Sequence, residues 1–395
     1  MPPFSNEIFG MFVESLGEDM CTLRVCSLVS SVFRHFCSPI LYRDIVLDRK
    51  GKVDTFIRMG GRSNSLQHTK SFSLTYNGFE TKAHLGKLRR ILDIISRKAS
   101  LQTLHLHRVQ FHTELLSASL FSKLSGVIVM VLQECHFGGF EDFVSFIRCF
   151  PRCEVLRLHG CGWIRNGEHV KLKFRGLPAY DLALVHLEIT DTIIAEWGEE
   201  FCDQGKIVGM VWLKLTGLKS FTYVIGDQTA WGAVLEMISA CELLEEIDVT
   251  LVYPGGHSFG ERKNRLILTL SNHLRSARST ITQLTPFIAR IKSLTLRCFV
   301  GFLPWRLSFA HSTGFPSSLT LERVRIITPG PFPMTEGCEI LDATFSDTEK
   351  YPSLKELEVC SFLVTQARKS GRDTYERLSM DEHLPRLKAM GRLPA

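Results

Sequence analysis

The chain of 395 residues is poor in the features that announce most chemistries. No CxxC pair occurs among its 12 cysteines, and most stand where Leu or Val would serve, so they read as reduced, buried small hydrophobes of a cytoplasmic or nuclear protein rather than a disulfide framework or zinc site. The N-terminal "MPPFSNEIFG" has neither a basic n-region nor a continuous apolar stretch, and the longest aliphatic run, "VIVMVL" (127–132), is too short to span a bilayer. No membrane association is expected. Glycine-rich phosphate loops, a GxSxG elbow and paired-carboxylate constellations are missing, so neither a cofactor nor catalysis is expected. No charge of one sign runs as a block: the net +6 is spread along the chain, with 44 Lys and Arg against 36 Asp and Glu after Leu47. Without an aromatic and basic patch at regular spacing, nucleic acid ranks below protein as a partner.

What the sequence does have is 45% hydrophobic residues, enough for a large core, and an internal period. "LQTLHLHRVQF" (101–111), "VIVMVLQECHF" (127–137) and "CEVLRLHGCGW" (153–163) align without a gap, 26 residues apart, with apolar residues at positions 1, 4, 6, 9 and 11. The frame recurs from residues 69, 184, 218, 244, 291, 316 and 354, and "YRDIVL" from Tyr42 is a truncated first copy. Positions 4 and 6 share one face of a strand, and stacked parallel copies bury what one copy cannot. Leu104, Met130 and Leu156 are therefore expected in register on neighbouring parallel strands. Helical patterns return the chain between strands: Leu85, Leu88, Ile91, Leu92 and Ile95 form one stripe, and Phe140, Phe143, Val144 and Ile147 another. The segments 253–265 and 328–352 read as insertions. The pattern resembles an irregular leucine-rich-repeat solenoid, an α/β horseshoe of parallel strands over residues 42–364, followed by a tail, 365–395, that either caps the last repeat or stays mobile.

Outward strand positions form a polar ladder on which a partner protein can be read. Its candidate substrate-binding residues are His105, His107, Arg157, His159, His186, Glu188, Glu246, Asp248 and Arg297, so the ladder is histidine-bearing early and acidic later. His105 and His107, with His112 beyond, have the spacing of metal ligands but lack acids or thiols on the same face.

Residues 1–41 do not follow the frame. Ser5 is a candidate cap for a helix bearing Ile8, Phe9, Phe12, Val13 and Leu16 and ending at Gly17. Asp19 is the cap of a second helical pattern, carrying Leu23, Cys26, Leu28, Val29, Val32, Phe33 and Phe36, which Ser38 and Pro39 are expected to stop. So small a helical piece cannot hide all these groups within itself. The stretch "NEIFGMFVESL…LRVCSLVSSVFRHFCSPILYRDIVL" resembles the F-box, carried by Glu7 and Ile8, Leu16, Leu23, "CSLV", Phe33 and "LYRDIVL". With repeats behind it the whole chain is similar to a large fungal family of F-box proteins. It departs from the family at Phe4 and Ser5, where Leu-Pro is usual, and at Ser30 and Ser31, where Cys-Arg is usual. The resemblance implies a non-enzymatic substrate receptor that docks a Skp-type adaptor, and through it a cullin-RING ubiquitin ligase, while the repeats hold a substrate protein. Ile8, Phe12, Leu16, Leu23, Leu28, Val29 and Phe33 would face the adaptor or support that face. The rival expectation is a repeat scaffold without a ligase, its N-terminal helices serving as a cap.

Overall fold

In a computed structural model of the chain, the residues described are 6–17, 19–60, 65–76, 82–98, 100–111, 121, 124–138, 140–163, 180–181, 183–190, 213–215, 217–225, 241–251, 290–298, 317–329, 336–362, 375–377 and 382–394. The chain divides into two compact units, Met1–Gly176 and Leu177–Ala395. The helical head and the first repeats both lie in the first of these units.

Three helices make the head: α1 (Asn6–Ser15), α2 (Met20–Val29) and α3 (Ser31–Leu41). Gly17 closes the first with a left-handed φ of 55°, which costs a glycine nothing. Asp19 caps the second, its carboxylate accepting from the backbone N–H of Cys21 and Thr22. The expected continuous pattern from Leu23 to Phe36 is broken at Ser30, which is extended and uses its hydroxyl to accept from Phe33 N–H, starting α3. Pro39 does not stop that helix. It lies in the last turn, where it removes one bond of the ladder, to the carbonyl of His35, and the helix runs on to Leu41. The cap expected at Ser5 lies outside the described residues.

The rest of the first unit alternates strand and helix: β1 (Asp44–Leu47), α4 (Lys50–Gly60), β2 (Ser71–Thr75), α5 (Lys82–Lys98), β3 (Thr103–His107), β4 (Gln110–Phe111), β5 (Val129–Gln133), β6 (His136–Phe137), α6 (Phe140–Ile147), β7 (Val155–His159) and β8 (Gly162–Trp163). Strands β1, β2, β3, β5 and β7 pair in parallel, and Leu104, Met130 and Leu156 lie in register, all buried. The carbonyl at frame position 2 of one repeat accepts both N–H groups that open the next strand, as Gln102 does from Ile128 and Val129 and Ile128 from Glu154 and Val155. After the strand the chain turns through a left-handed residue at position 8 in three successive copies, Arg108, Glu134 and Gly160. This aims position 9 inward. There Cys135 and Cys161 donate their thiols to the carbonyls of Leu106 and Leu132 in the preceding copy. A second parallel ladder, β4–β6–β8, follows at positions 10 and 11 and stacks Phe111 on Phe137 at 4.6 Å.

Helix α6 lays Phe143, Phe146 and Ile147 on this layer, and Phe146 meets Phe111, Phe121 and Phe150 at 4.6–5.0 Å. Such aromatic pairs add about 0.5–1.5 kcal/mol each beyond their burial. In α5, Leu88, Ile91, Leu92 and Ile95 are buried as the stripe requires; the side chains of Leu85, Phe140 and Val144 lie outside the described residues.

The second unit contains β9 (Tyr180–Asp181), β10 (His186–Thr190), β11 (Leu213–Lys214), β12 (Ser220–Ile225), β13 (Glu246–Leu251), β14 (Ser293–Cys298), β15 (Arg323–Pro329), α7 (Glu336–Phe345), β16 (Glu356–Phe362), β17 (Tyr375–Arg377) and α8 (Pro385–Ala389). Strands β10, β12, β13, β14, β15 and β16 are parallel, with β17 antiparallel on β16. One copy is displaced from its expected place. Residues 318–321 precede the strand, Leu319 is exposed, and Val324 and Ile326 take the inward positions, so the frame starts at Leu321 rather than residue 316. The expected insertion 328–352 contains the end of β15 and α7, while 253–265 lies outside the described residues.

The tail packs on the last repeat. Asp342 of α7 accepts from the N–H groups of Arg386 and Leu387, and the buried Arg392 donates to the carbonyls of Phe345 and Tyr351.

Candidate interaction surfaces

The head has its own core, Val13, Leu23 and Cys37, with Leu16, Met20, Cys26, Phe33, Phe36, Ile40 and Leu41 packed around it. Phe33 is wedged against Phe9 and Phe12 at 5.0 and 5.9 Å, and Gly10 lets α1 approach Phe36, where an added Cβ would come to 3.3 Å of its ring. What this core leaves outside is apolar. Ile8, Met11 and Phe12 on α1 are 50%, 69% and 47% exposed, and Val25, Leu28 and Val29 on α2 are 63%, 77% and 68% exposed.

Of the seven head residues singled out from the sequence, Ile8, Phe12, Leu28 and Val29 are exposed, while Leu16 and Phe33 are half-buried. Leu23 is wholly buried, so it cannot face a partner and takes the supporting role. Met11 and Val25 were missed, although both triplets repeat the same spacing of 0, 3 and 4 residues, which puts three side chains on one helical face.

The head is tied to the first repeats through its exit. Tyr42 carbonyl accepts from Thr69 Oγ1 at 3.0 Å, and Arg43 carbonyl accepts from the N–H groups of Lys70 and Ser71.

On the outward face of the first unit, register sets Ser73, His105, Val131 and Arg157 in one row and Thr75, His107, Gln133 and His159 in the next. His105, His107 and His159 are half-buried and Arg157 is exposed. His105 Nδ1 lies 3.5 Å from Ser73 Oγ, and burial holds its imidazole below the ordinary pKa. Glu134, in the turn after β5, accepts from Arg108 Nε at 2.7 Å and lies 3.3 Å from His107 Nε2; Arg108 first, then His107, holds its carboxyl below the ordinary value.

In the second unit the rows are His186, Ser220, Glu246, Ser293, Arg323, Glu356 and Glu188, Thr222, Asp248, Thr295, Arg325, Glu358. His186 stands 3.9 Å from Glu188, Arg323 reaches Glu246 at 3.8 Å, and Arg325 donates to the buried Glu358. The expected run of acids is thus interrupted by two arginines that the misplaced copy had hidden. The alternation and β-branched content of "RVRIIT" was the signal for them. The side chain of Arg297 lies outside the described residues.

At the start of these strands, frame position 2 reads Lys219, Glu245, Lys292, Glu322, Lys355. The alternation is realised as ion pairs, Lys292–Glu245 at 2.8 Å and Lys355–Glu322 at 2.7 Å.

Among the described residues no three His, Cys, Asp or Glu side chains gather as a metal site, and His112 lies outside them. Cys21 is exposed, contrary to the expectation for it, but Cys37, Cys135, Cys153, Cys161, Cys241, Cys338 and Cys360 are buried free thiols. Burial pushes Cys153 up to about 12 and Cys241 up to about 11, so both stay protonated at neutral pH. Among the described residues no helix is long and apolar enough to cross a membrane. No model of a known protein family and no curated protein matches the chain.

Proposed function

We propose that the chain is the substrate receptor of a Skp-adaptor, cullin and F-box type ubiquitin ligase: the helical head docks the adaptor, and the leucine-rich-repeat-like strands hold a target protein. One observation carries the reading. Six large apolar side chains, Ile8, Met11, Phe12, Val25, Leu28 and Val29, stand in solvent on two helices whose interior is already filled. Apolar groups clustered this way mark an interaction site, because leaving them wet forfeits about 25 cal/mol per Å² of burial. The receptor performs no bond chemistry. It holds a target lysine near a charged conjugating enzyme, which acts through effective concentration.

A scaffold whose head merely caps the repeats is the second reading, favoured by the hydrogen bonds from Thr69, Lys70 and Ser71 into the head's exit. A cap, however, buries its apolar surface on the first repeat, whereas these six side chains remain about half or more exposed.

Co-purification with a Skp-type adaptor tests the proposal, comparing the full chain with a Leu28→Asp, Val29→Asp double variant. Both positions are exposed, so the variant keeps its melting temperature; the wild type captures the adaptor and the variant does not. Adaptor retained by the variant removes docking through this face, and capture by neither chain favours the scaffold.

A further inference from the structure

The net +6 of the chain is not spread along it as the totals suggest. Residues 48–98 hold 12 Lys and Arg against 4 Asp and Glu, while all other residues hold 35 against 37, so the whole positive excess belongs to this stretch. It includes α4, β2 and α5. Both helices turn their apolar sides inward: Phe56 of α4 meets Phe72 of β2 at 6.0 Å, and Leu88, Ile91, Leu92 and Ile95 of α5 are buried. Their polar sides therefore face away from the sheet.

On these sides every described carboxylate is already matched by a cation: Asp48 by Lys52 at 2.8 Å, Asp54 by Lys87 at 2.8 Å and Asp93 by Arg97 at 2.9 Å. Glu80 lies outside the described residues. Beyond those pairs stand Arg49, Lys50, Arg58, Arg89 and Arg90, all exposed, of which Arg58 spends one donor on Thr55 Oγ1 at 3.5 Å. Lys50, Asp54 and Arg58 recur at intervals of four and so share one stripe of α4, and the Lys87–Asp54 bridge joins that stripe to α5. Asp54 records the crowding: Lys87 first, then Lys50 and Arg58, hold its carboxyl below the ordinary value. Arg90 follows Lys87 by about one turn. Among the described residues of the two helices, the only exposed large apolar side chain is Met59.

We propose that this helical face binds the phosphate backbone of double-stranded DNA without reading its sequence, through Arg49, Lys50, Arg58, Arg89 and Arg90. The inference does not depend on adaptor docking. A face of charge with almost no apolar surface gains most from the densest line of opposite charge. Duplex DNA carries one phosphate per about 1.7 Å of axis, where an extended acidic peptide carries at most one carboxylate per about 3.4 Å. A bilayer would find no apolar face to insert, because that of α5 is buried. An unpaired strand would find no aromatic platform for its bases, because Phe56 packs on Phe72. Dimensions agree as well. Lys50 and Arg58 are eight residues apart on one helix, about 12 Å, which is about the width of the B-form major groove. Cations at the two ends of the stripe can thus meet phosphates on both sides of that groove, whereas A-form RNA narrows it.

The test is fluorescence anisotropy of a fluorescein-labelled DNA duplex of about 20 base pairs, titrated with the full chain at several salt concentrations. Five phosphate contacts give a slope of log K against log salt of about −4 to −5, and a duplex of shuffled sequence binds within about twofold. An Arg58→Gln, Arg90→Gln double variant makes the slope shallower by about 2 and weakens binding about tenfold or more at about 0.1 M salt. Arg152→Gln, Arg386→Gln removes the same charge from exposed positions off these helices and changes binding less than about twofold. Melting curves of each variant confirm the fold, and Lys50→Gln, Arg89→Gln serves if the first pair melts early. Equal losses from the helix pair and the control pair, equal binding of an RNA duplex, of poly-glutamate or of phosphatidylserine vesicles, or no binding of the DNA overturns the inference. A wild-type chain that captures the adaptor but not the duplex overturns this inference alone. One that binds the duplex and not the adaptor overturns the ligase reading alone.

Discussion

Replacing Arg392 with Met should detach the C-terminal tail from the last repeat. Its guanidinium donates to Phe345 carbonyl at 2.6 Å and Tyr351 carbonyl at 2.9 Å, and the residue is 7% exposed. Its backbone carbonyl also accepts from Leu357 N–H in β16, so side chain and main chain act at one point. A hydrogen bond from a charged donor is worth about 1.5–3 kcal/mol. Losing two takes that donor from two carbonyls, while Met recovers only the packing of the stem, so the expected loss is about 3–5 kcal/mol. At about 2–4 °C per kcal/mol for a unit of this size, the melting transition should fall by roughly 6–20 °C. Arg386→Met is the control. That side chain is 67% exposed and its Nε is 3.9 Å from Asp342, a long contact from a solvated guanidinium that is worth less than about 1 kcal/mol. Calorimetry, with proteolysis of the tail as a second readout, decides it. Equal melting of the two variants would refute the argument that the buried guanidinium holds the tail.

In the head, Leu23→Ala should cost about 2–5 kcal/mol of stability in chemical denaturation and Leu28→Ala less than about 0.5, since only the first is buried. Gly160→Ala should cost about 1 kcal/mol: its φ is +57° while an added Cβ meets only Glu134 Cγ at 3.6 Å, so the loss comes from backbone conformation rather than crowding, and a larger fall in melting temperature would point to a clash instead. The depressed pKa of Glu134 contributes stability above the ordinary carboxylate value, lost as pH falls through the folded-state value. Melting curves of wild type and Glu134→Gln should therefore differ at neutral pH and converge in acid. Glu322→Lys sets three lysines in succession along the strand starts, and should lower the melting temperature at low salt with a deficit that shrinks as salt rises.

Hydrophobic spacing made most of the strand register legible, because inward side chains at positions 4 and 6 are a local property: Phe72 with Leu74, Leu104 with Leu106 and Met130 with Leu132 are all buried as spaced. Helix boundaries were less so. The break between α2 and α3 rests on one hydroxyl at Ser30, and Pro39 lies inside α3, two residues before its end; neither changes the apolar period. Exposure in the head was legible only as a class. Leu23 and Leu28 are the same residue five positions apart on one helix, and tertiary packing against Val13 and Cys37 decides which of them is inside. Polar neighbours were harder still. Nothing in the spacing of His107 anticipates that Glu134, 27 residues later, takes a left-handed backbone to lie beside it.

The copy placed at residue 316 shows what hydrophobicity alone cannot decide. The tetrapeptide Ser-Leu-Thr-Leu occurs at 293–296 and again at 318–321. The first lies in β14 with Leu294 and Leu296 buried; the second precedes β15 and leaves Leu319 exposed. In the second, Ser318 Oγ accepts from Leu321 N–H at 3.1 Å, a local bond that competes with the sheet ladder. Charge supplies the missing choice. Starting the frame at Leu321 puts Glu322 at position 2, between Lys292 and Lys355, and brings Arg323 to Glu246 and Arg325 to Glu358. Starting it at 316 would put Ser317 there and forfeit all three pairings. The two exposed pairs individually add little, but a sheet face specifies register by the difference between pairings, and a slip here exchanges attraction for none. Alternating charge at the strand entrance is thus a second code beside the leucine code, and it is the one that resolves this repeat.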